Sequence, residues 1–270
     1  MKINLAEIDS IHNELIRRKE LLLDFSRNLN IKMDIGERND IVSLFEEGNS
    51  TRRPEDINHL MKIFFTSCFS YAILRNYLKS KIGKIPDPMT LPYCLKITYS
   101  TDDFLLDNNW TPKQLYAIAK NIQKEYAYKS KSNIPVERMI SIIIEGSRVM
   151  SRKLEHGLYN FYAELDNVSK MSGEEMWTYV ESFGKDIYNV GPNLICDFIK
   201  NIGFERFVKV DHHFKAEFPT LIGYDSCKKM SNKKHFILSQ KLADLVQMSP
   251  FHLDKLLYLW GRYKKFEYVG

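Results

Sequence analysis

Apolar residues recur at three- and four-residue spacing through most of this 270-residue chain, a period that points to amphipathic helices. Residues 5–28 carry the pattern first. The run 55–82, EDINHLMKIFFTSCFSYAILRNYLKSKI, follows Pro54 and is apolar enough for a central helix; Gly83, Pro86 and Pro88 then break it. Thr111-Pro112 opens a helix to about Tyr128, since proline suits the first helical position, and Asn133 to Pro135 opens another through MISIII. Further helices are expected near 152–166, 172–184, 233–246 and 249–263, the last behind a Ser249-Pro250 cap. Only PYCLKITY (92–99) alternates like a strand, and one isolated strand makes no sheet. The expected fold class is all-α.

A chain of this length forms one large domain or two lobes, and its hydrophobic content of 44% suffices for an ordinary core. It contains no twenty-residue apolar run, so no membrane span is expected. The start, MKINLAEIDSIHNEL, is charged from its second residue and lacks the apolar centre of a signal peptide. A cytoplasmic protein is expected, nucleoid-associated if prokaryotic. Cys68, Cys94, Cys196 and Cys227 lie 26, 102 and 31 residues apart, which matches no zinc or iron–sulfur spacing. Cys68 and Cys196 fall inside apolar helical patterns and read as small core residues.

The net charge is +5, and it is unevenly placed. From Ser226 to Gly270 there are nine Lys/Arg against three Asp/Glu, a balance of +6, which leaves −1 for everything before. A basic C-terminal segment suits a polyanion partner, although a solvated lysine-rich surface has the same composition.

The segment DIYNVGPNLICDFIKNIGFERFVKVDHHF (186–214) carries the functional signal. Asn189 and Gly191 both tolerate the left-handed backbone region, so each is expected to take positive φ in a tight turn after Ile187, with Val190 between them. Pro192 then starts a helix bearing Leu194, Ile195, Phe198 and Ile199, which Gly203 ends. Backbone N–H groups at such a helix start can grip an anion without a charged side chain, although an ordinary connector reads the same way. Asp211 then has the placement of a helix N-cap, beside the positive end of the next helix.

Taken together, the hairpin IYNVG, the spacer PNLICDFIKNIGFERFVK and the segment VDHHFK resemble the helix-hairpin-helix DNA glycosylases related to endonuclease III. In that family an apolar-x-Gly-apolar-Gly hairpin precedes an apolar-Asp-x-His motif and a basic helix. Asp211 and His213 match the Asp-x-His pair, and Lys215 matches the basic position beyond it. SPFHLDKLLYLWGRY (249–263) is similar to a closing helix of several archaeal-type members, and the resemblance spans 184 to 263.

The resemblance implies two helical lobes with a cleft between them, the helix-hairpin-helix motif and Asp211 facing it. Residues 1–53 would pack with the C-terminal lobe, 54–202 would form the central lobe ending in the hairpin, and 203–270 would carry the catalytic Asp211. Asn189, Val190, Gly191, His213 and Lys215 would contact DNA. The implied partner is double-stranded DNA holding a modified base, bound by a monomer with neither cofactor nor metal. Two positions depart from the family pattern. Asn189 stands for the first hairpin glycine, and Asn193 stands where bifunctional members carry the lysine that forms a Schiff base. Base excision without strand cleavage is therefore expected, with Lys185 and Lys209 as substitute amines that could enter the cleft.

Other residues point less far. Adjacent His212 and His213 should diverge on a helix, and no third ligand stands at coordinating spacing. His213 orients a neighbour, touches phosphate or is structural. Trp110, Trp177 and Trp260 suit either base stacking or the core, and YAYKSKSN (126–133) suits either a backbone contact or a solvated loop. The rivals to a glycosylase are a non-catalytic helix-hairpin-helix module, in which Asp211 is only a cap, and a helical scaffold. Alkylated purine, oxidised guanine and modified cytosine all remain open as the excised base.

Overall fold

A computed structural model describes residues 7–33, 35–46, 51–68, 136–187, 190–224 and 229–267. Among them the secondary structure is entirely helical: α1 (Ile8–Arg27), α2 (Ile35–Phe45), α3 (Ile57–Cys68), α4 (Val136–Lys153), α5 (Gly157–Val168), α6 (Gly173–Gly184), α7 (Pro192–Asn201), α8 (His212–Leu221), α9 (Asn232–Leu245) and α10 (Pro250–Tyr263), with a closing turn at Lys264–Phe266. The all-α expectation holds among the described residues. The strand-like 92–99, the helix expected from Thr111, the segment 126–133, and Cys94, Trp110, Asn189, Cys227 and Lys228 lie outside the described residues.

The chain divides into two compact units. One comprises Met1–Arg52, Met171–Trp177 and Gly203–Gly270; the other comprises Arg53–Lys170 and Thr178–Ile202.

In the first unit α10 lies at the centre, packed by α8, α1 and α9. Its sequence explains this, because Phe251, Leu253, Leu256, Leu257, Leu259, Trp260 and Tyr263 are all buried, and a helix apolar on so many sides has to be enclosed. Arg17 and Arg18 of α1 lie 5.4 and 5.3 Å from the Trp260 ring centre. Glu14 receives both guanidinium groups, and the hydrogen bond from Arg17 is the main cause that lowers its carboxyl to about 2. The helix α2 is absent from the sequence expectations: IGERNDIVSLF gathers its buried Ile41, Leu44 and Phe45 at one end rather than along a stripe. Arg38 of α2 donates to the carbonyls of Ser26 (2.6 Å) and Asn28 (3.0 Å), so it caps the exit of α1 from a distance.

In the second unit α3 packs against α7 and α4. Phe198 of α7 is the hub of an aromatic cluster, with ring centres 5.1 Å from Phe64, 6.2 Å from Phe183 and 6.4 Å from Phe161. Cys68 and Cys196 are buried, as their apolar settings predict. The helix expected from 152 starts later, at Gly157, whose φ of +86° is a left-handed value that breaks the run from α4. Gly203, at φ +92° just past the C-cap Ile202 of α7, ends that helix as expected.

Candidate functional site

Asp211 is the N-cap of α8. Its backbone is extended (φ −84°, ψ −173°), and its side-chain Oδ1 accepts the N–H of Phe214 at 2.9 Å. Its carbonyl accepts the N–H of Lys215 at 3.0 Å, the first bond of the helix, while the Lys215 side chain is exposed. The cap therefore holds the half-buried carboxylate at the positive end of α8, with one oxygen engaged by the backbone. Below it, Phe214 and Phe218 stack at 5.0 Å in the core.

The two histidines do not diverge. Their ring centres lie 3.8 Å apart at a 41° tilt. At the first helical position no preceding turn restricts the rotamer, so His212 folds over its neighbour. His213 meets α10: its ring stands edge-on to Tyr258, with centres 5.5 Å apart at 85°. Burial, then the charge of His212, holds the His213 imidazole below the ordinary histidine value; Asp211 and Glu217 oppose this and Arg262 adds to it.

Val190, Gly191 and Asn193 belong to the second unit, Asp211, His213 and Lys215 to the first. The hairpin differs from expectation at Gly191, which is extended (φ −89°, ψ 172°) and not left-handed. Two causes act. Proline at 192 steers the preceding residue to extended geometry, and Gly191 is itself the N-cap of α7. Its carbonyl accepts the N–H of Leu194 at 3.0 Å, and the N–H of Val190 is taken up by Ile187 O at 3.1 Å. The side chains of Ile187 and Val190 are buried, while Gly191 is exposed with open space where a Cβ would stand. Steric need for glycine falls instead on Gly184: a Cβ there would meet Val190 O at 2.9 Å and Ile195 Cγ1 at 3.1 Å.

The remaining sequence candidates divide between core and surface. Trp177 and Trp260 are buried, 4% and 3% exposed, and so act as core. Of the basic segment, Lys233 pairs with Glu174 at 2.9 Å, and Lys234 donates to the Tyr224 hydroxyl at 3.3 Å. Lys185 is exposed, and Lys209 is half-buried with its main-chain N–H donating to Asp254 at 3.3 Å. An open depression of about 580 Å³ in the second unit is lined by Glu145, Arg148, Ser151, Arg152 and Asp186, a charge-balanced set. Among the described residues no group of three or more His, Cys, Asp or Glu could hold a metal, and no helix is long and apolar enough to cross a membrane.

Sequence reading missed Tyr258, Gly261 and Arg262, which surround His213. The usable signal was glycine inside an apolar helix, which costs about 1 kcal/mol relative to alanine and so suggests a close approach. Comparison with protein-family models, with curated proteins and with solved structures finds no match to this chain.

Proposed function

We propose that this chain is a monofunctional DNA glycosylase that hydrolyses the N-glycosidic bond of a damaged or chemically modified base in duplex DNA. The observation that supports it is Asp211, a carboxylate held at the head of α8 by its bond to Phe214 N–H. The order hairpin, loop and capped Asp-x-His carries the family resemblance. In this reading the base is extruded from the stack into the cleft that the resemblance implies between two helical lobes. The C1′–N bond breaks with its electron pair leaving on the base, and positive charge develops on the sugar. Asp211 stabilises that charge and takes the proton of the water whose oxygen adds to C1′. Gly191, exposed at the start of α7, approaches the phosphate backbone, with His213 and Lys215 as further contacts. Asn193 supplies no amine for a Schiff base, so an intact abasic site is the product.

The test is incubation with duplexes carrying alkylated purines, oxidised guanine or modified cytosine, followed by alkali. Alkali-dependent cleavage at one modified base, lost in Asp211→Asn, supports the reading. Duplex binding with no release from any of them leaves Asp211 as a structural cap in a DNA-binding module.

A further inference from the structure

Where α8 meets α10 the closing helix carries a notch. A Cβ added at Gly261 would stand 2.8 Å from Nδ1 of His213, 3.0 Å from its Cβ and 3.1 Å from its Cγ. Alanine does not fit there unless the imidazole moves. Gly261 has an ordinary helical backbone, so glycine is required by the space that His213 occupies and not by φ. Tyr258, three residues earlier and on the same face of α10, sets the edge-on ring beside that imidazole. Its hydroxyl accepts Arg262 Nη1 at 2.9 Å. Arg262 also donates to Glu37 of α2, and Glu37 accepts the Tyr263 hydroxyl as well. The closing helix thus packs against one histidine of α8 whose ring also meets His212, with α2 holding Arg262.

We propose that Gly261, Tyr258 and the Arg262–Glu37 pair form a seat that positions His213 beside Asp211, and that they are positioning residues for base excision. The inference rests on the reading of Asp211 as the catalytic carboxylate.

Asp211, His212 and Glu217 face the His213 imidazole from α8, and Tyr258 and Arg262 face it from α10, with Glu37 of α2 behind Arg262. Burial first, then His212 and Arg262, shifts the His213 imidazole towards its neutral form. A cation two residues from Asp211 would partly cancel the charge that a developing sugar cation requires, and the seat prevents this. Displaced into solvent, His213 would titrate in the ordinary range and oppose Asp211 as the pH falls.

The experiment pairs an imidazole NMR titration with binding to a duplex containing a cationic pyrrolidine abasic-site analogue, which carries the positive charge that Asp211 would face. His213→Asn assigns the resonance. The wild-type chain should titrate His213 below the ordinary value and bind the duplex. Gly261→Ala should raise the titration midpoint and weaken binding by about tenfold, the scale of one opposed charge pair. Tyr258→Phe, which keeps the ring, should preserve both; Tyr258→Leu, which removes it, should behave like Gly261→Ala and serves in its place if that variant does not fold. An unmoved midpoint in the folded disruptive variant, or a moved midpoint with unchanged affinity, overturns the seat. A wild-type chain with no affinity for the duplex sinks the glycosylase reading, and the seat's catalytic purpose with it.

Discussion

The main-chain N–H of Lys209 donates to the carboxylate of Asp254 at 3.3 Å, tying the loop that delivers Asp211 to the interior of α10. Asp254 is 2% exposed, so its acceptor cannot be replaced by water at no cost. Asp254→Leu should destabilise the fold by roughly 1–3 kcal/mol, because it leaves a buried donor unsatisfied, and Asp254→Asn should cost less. Urea denaturation of the two variants measures the difference, and equal midpoints would remove the loop-holding role.

Gly184 and Gly191 should separate in stability. Gly184→Ala forces a Cβ to 2.9 Å from the Val190 carbonyl and should cost about 1–3 kcal/mol. Gly191→Ala meets open space and ordinary φ, so its cost should be that of a weaker N-cap, on the order of 1 kcal/mol or less. If duplex binding is then lost only in Gly191→Val, and not in Gly191→Ala, side-chain bulk at the phosphate is the cause.

Asparagine caps a helix about as well as aspartate, so Asp211→Asn isolates the charge from the fold. Its melting temperature should match wild type while base release falls by roughly 10²-fold or more. Asp211→Ala should lose both the activity and about 1 kcal/mol of stability. Wild-type turnover by the Asn variant on an active duplex would defeat the mechanism.

His235 gives the fold an acid-sensitive point. It is 3% exposed against Phe214 and Phe218, its Nδ1 lies 2.9 Å from the Ser231 carbonyl, and its Nε2 is buried with no hydrogen-bond partner. Burial lowers its pKa; the Ser231 carbonyl opposes this and Lys215 adds to it. Between the lowered native value and the ordinary unfolded one, the unfolded chain binds the proton and the native chain does not. Stability is therefore full above the ordinary histidine range and falls as pH drops towards the native value. Urea midpoints measured downward from neutrality should decline, and His235→Phe should flatten the part due to this residue.

Borohydride trapping tests the product. With Asn193 at the family's lysine position, little covalent protein–DNA adduct should form. Efficient trapping that survives in Asn193→Ala and vanishes in Lys185→Gln or Lys209→Gln would make the enzyme bifunctional.

Local chemistry was legible wherever one residue type does one thing. Asp211, Ser249 and Gly203 mark helix ends because capping depends on a side-chain oxygen or on left-handed backbone, both written in the residue. Legibility failed where the answer depends on a neighbour. Gly191 looked like a positive-φ residue, yet Pro192 and its capping role extend it. The helix α2 shows no stripe along its length, because its buried Ile41, Leu44 and Phe45 gather at one end. The contact of Gly261 with His213 depends on the register of α10 against α8, a tertiary fact that periodicity does not contain.

The central position of α10 also has a kinetic consequence. Its partners α1 and α8 are made first, and α1 lies more than two hundred residues upstream of it. Closing so long a loop is entropically slow, and during synthesis α1 and α2 emerge well before the helix that covers them. Their apolar faces must wait, solvated or sheltered by chaperones, until α10 leaves the ribosome. A chain stopped before Pro250 should therefore aggregate on release, while the aromatic cluster around Phe198, assembled from residues finished earlier, should already resist proteolysis.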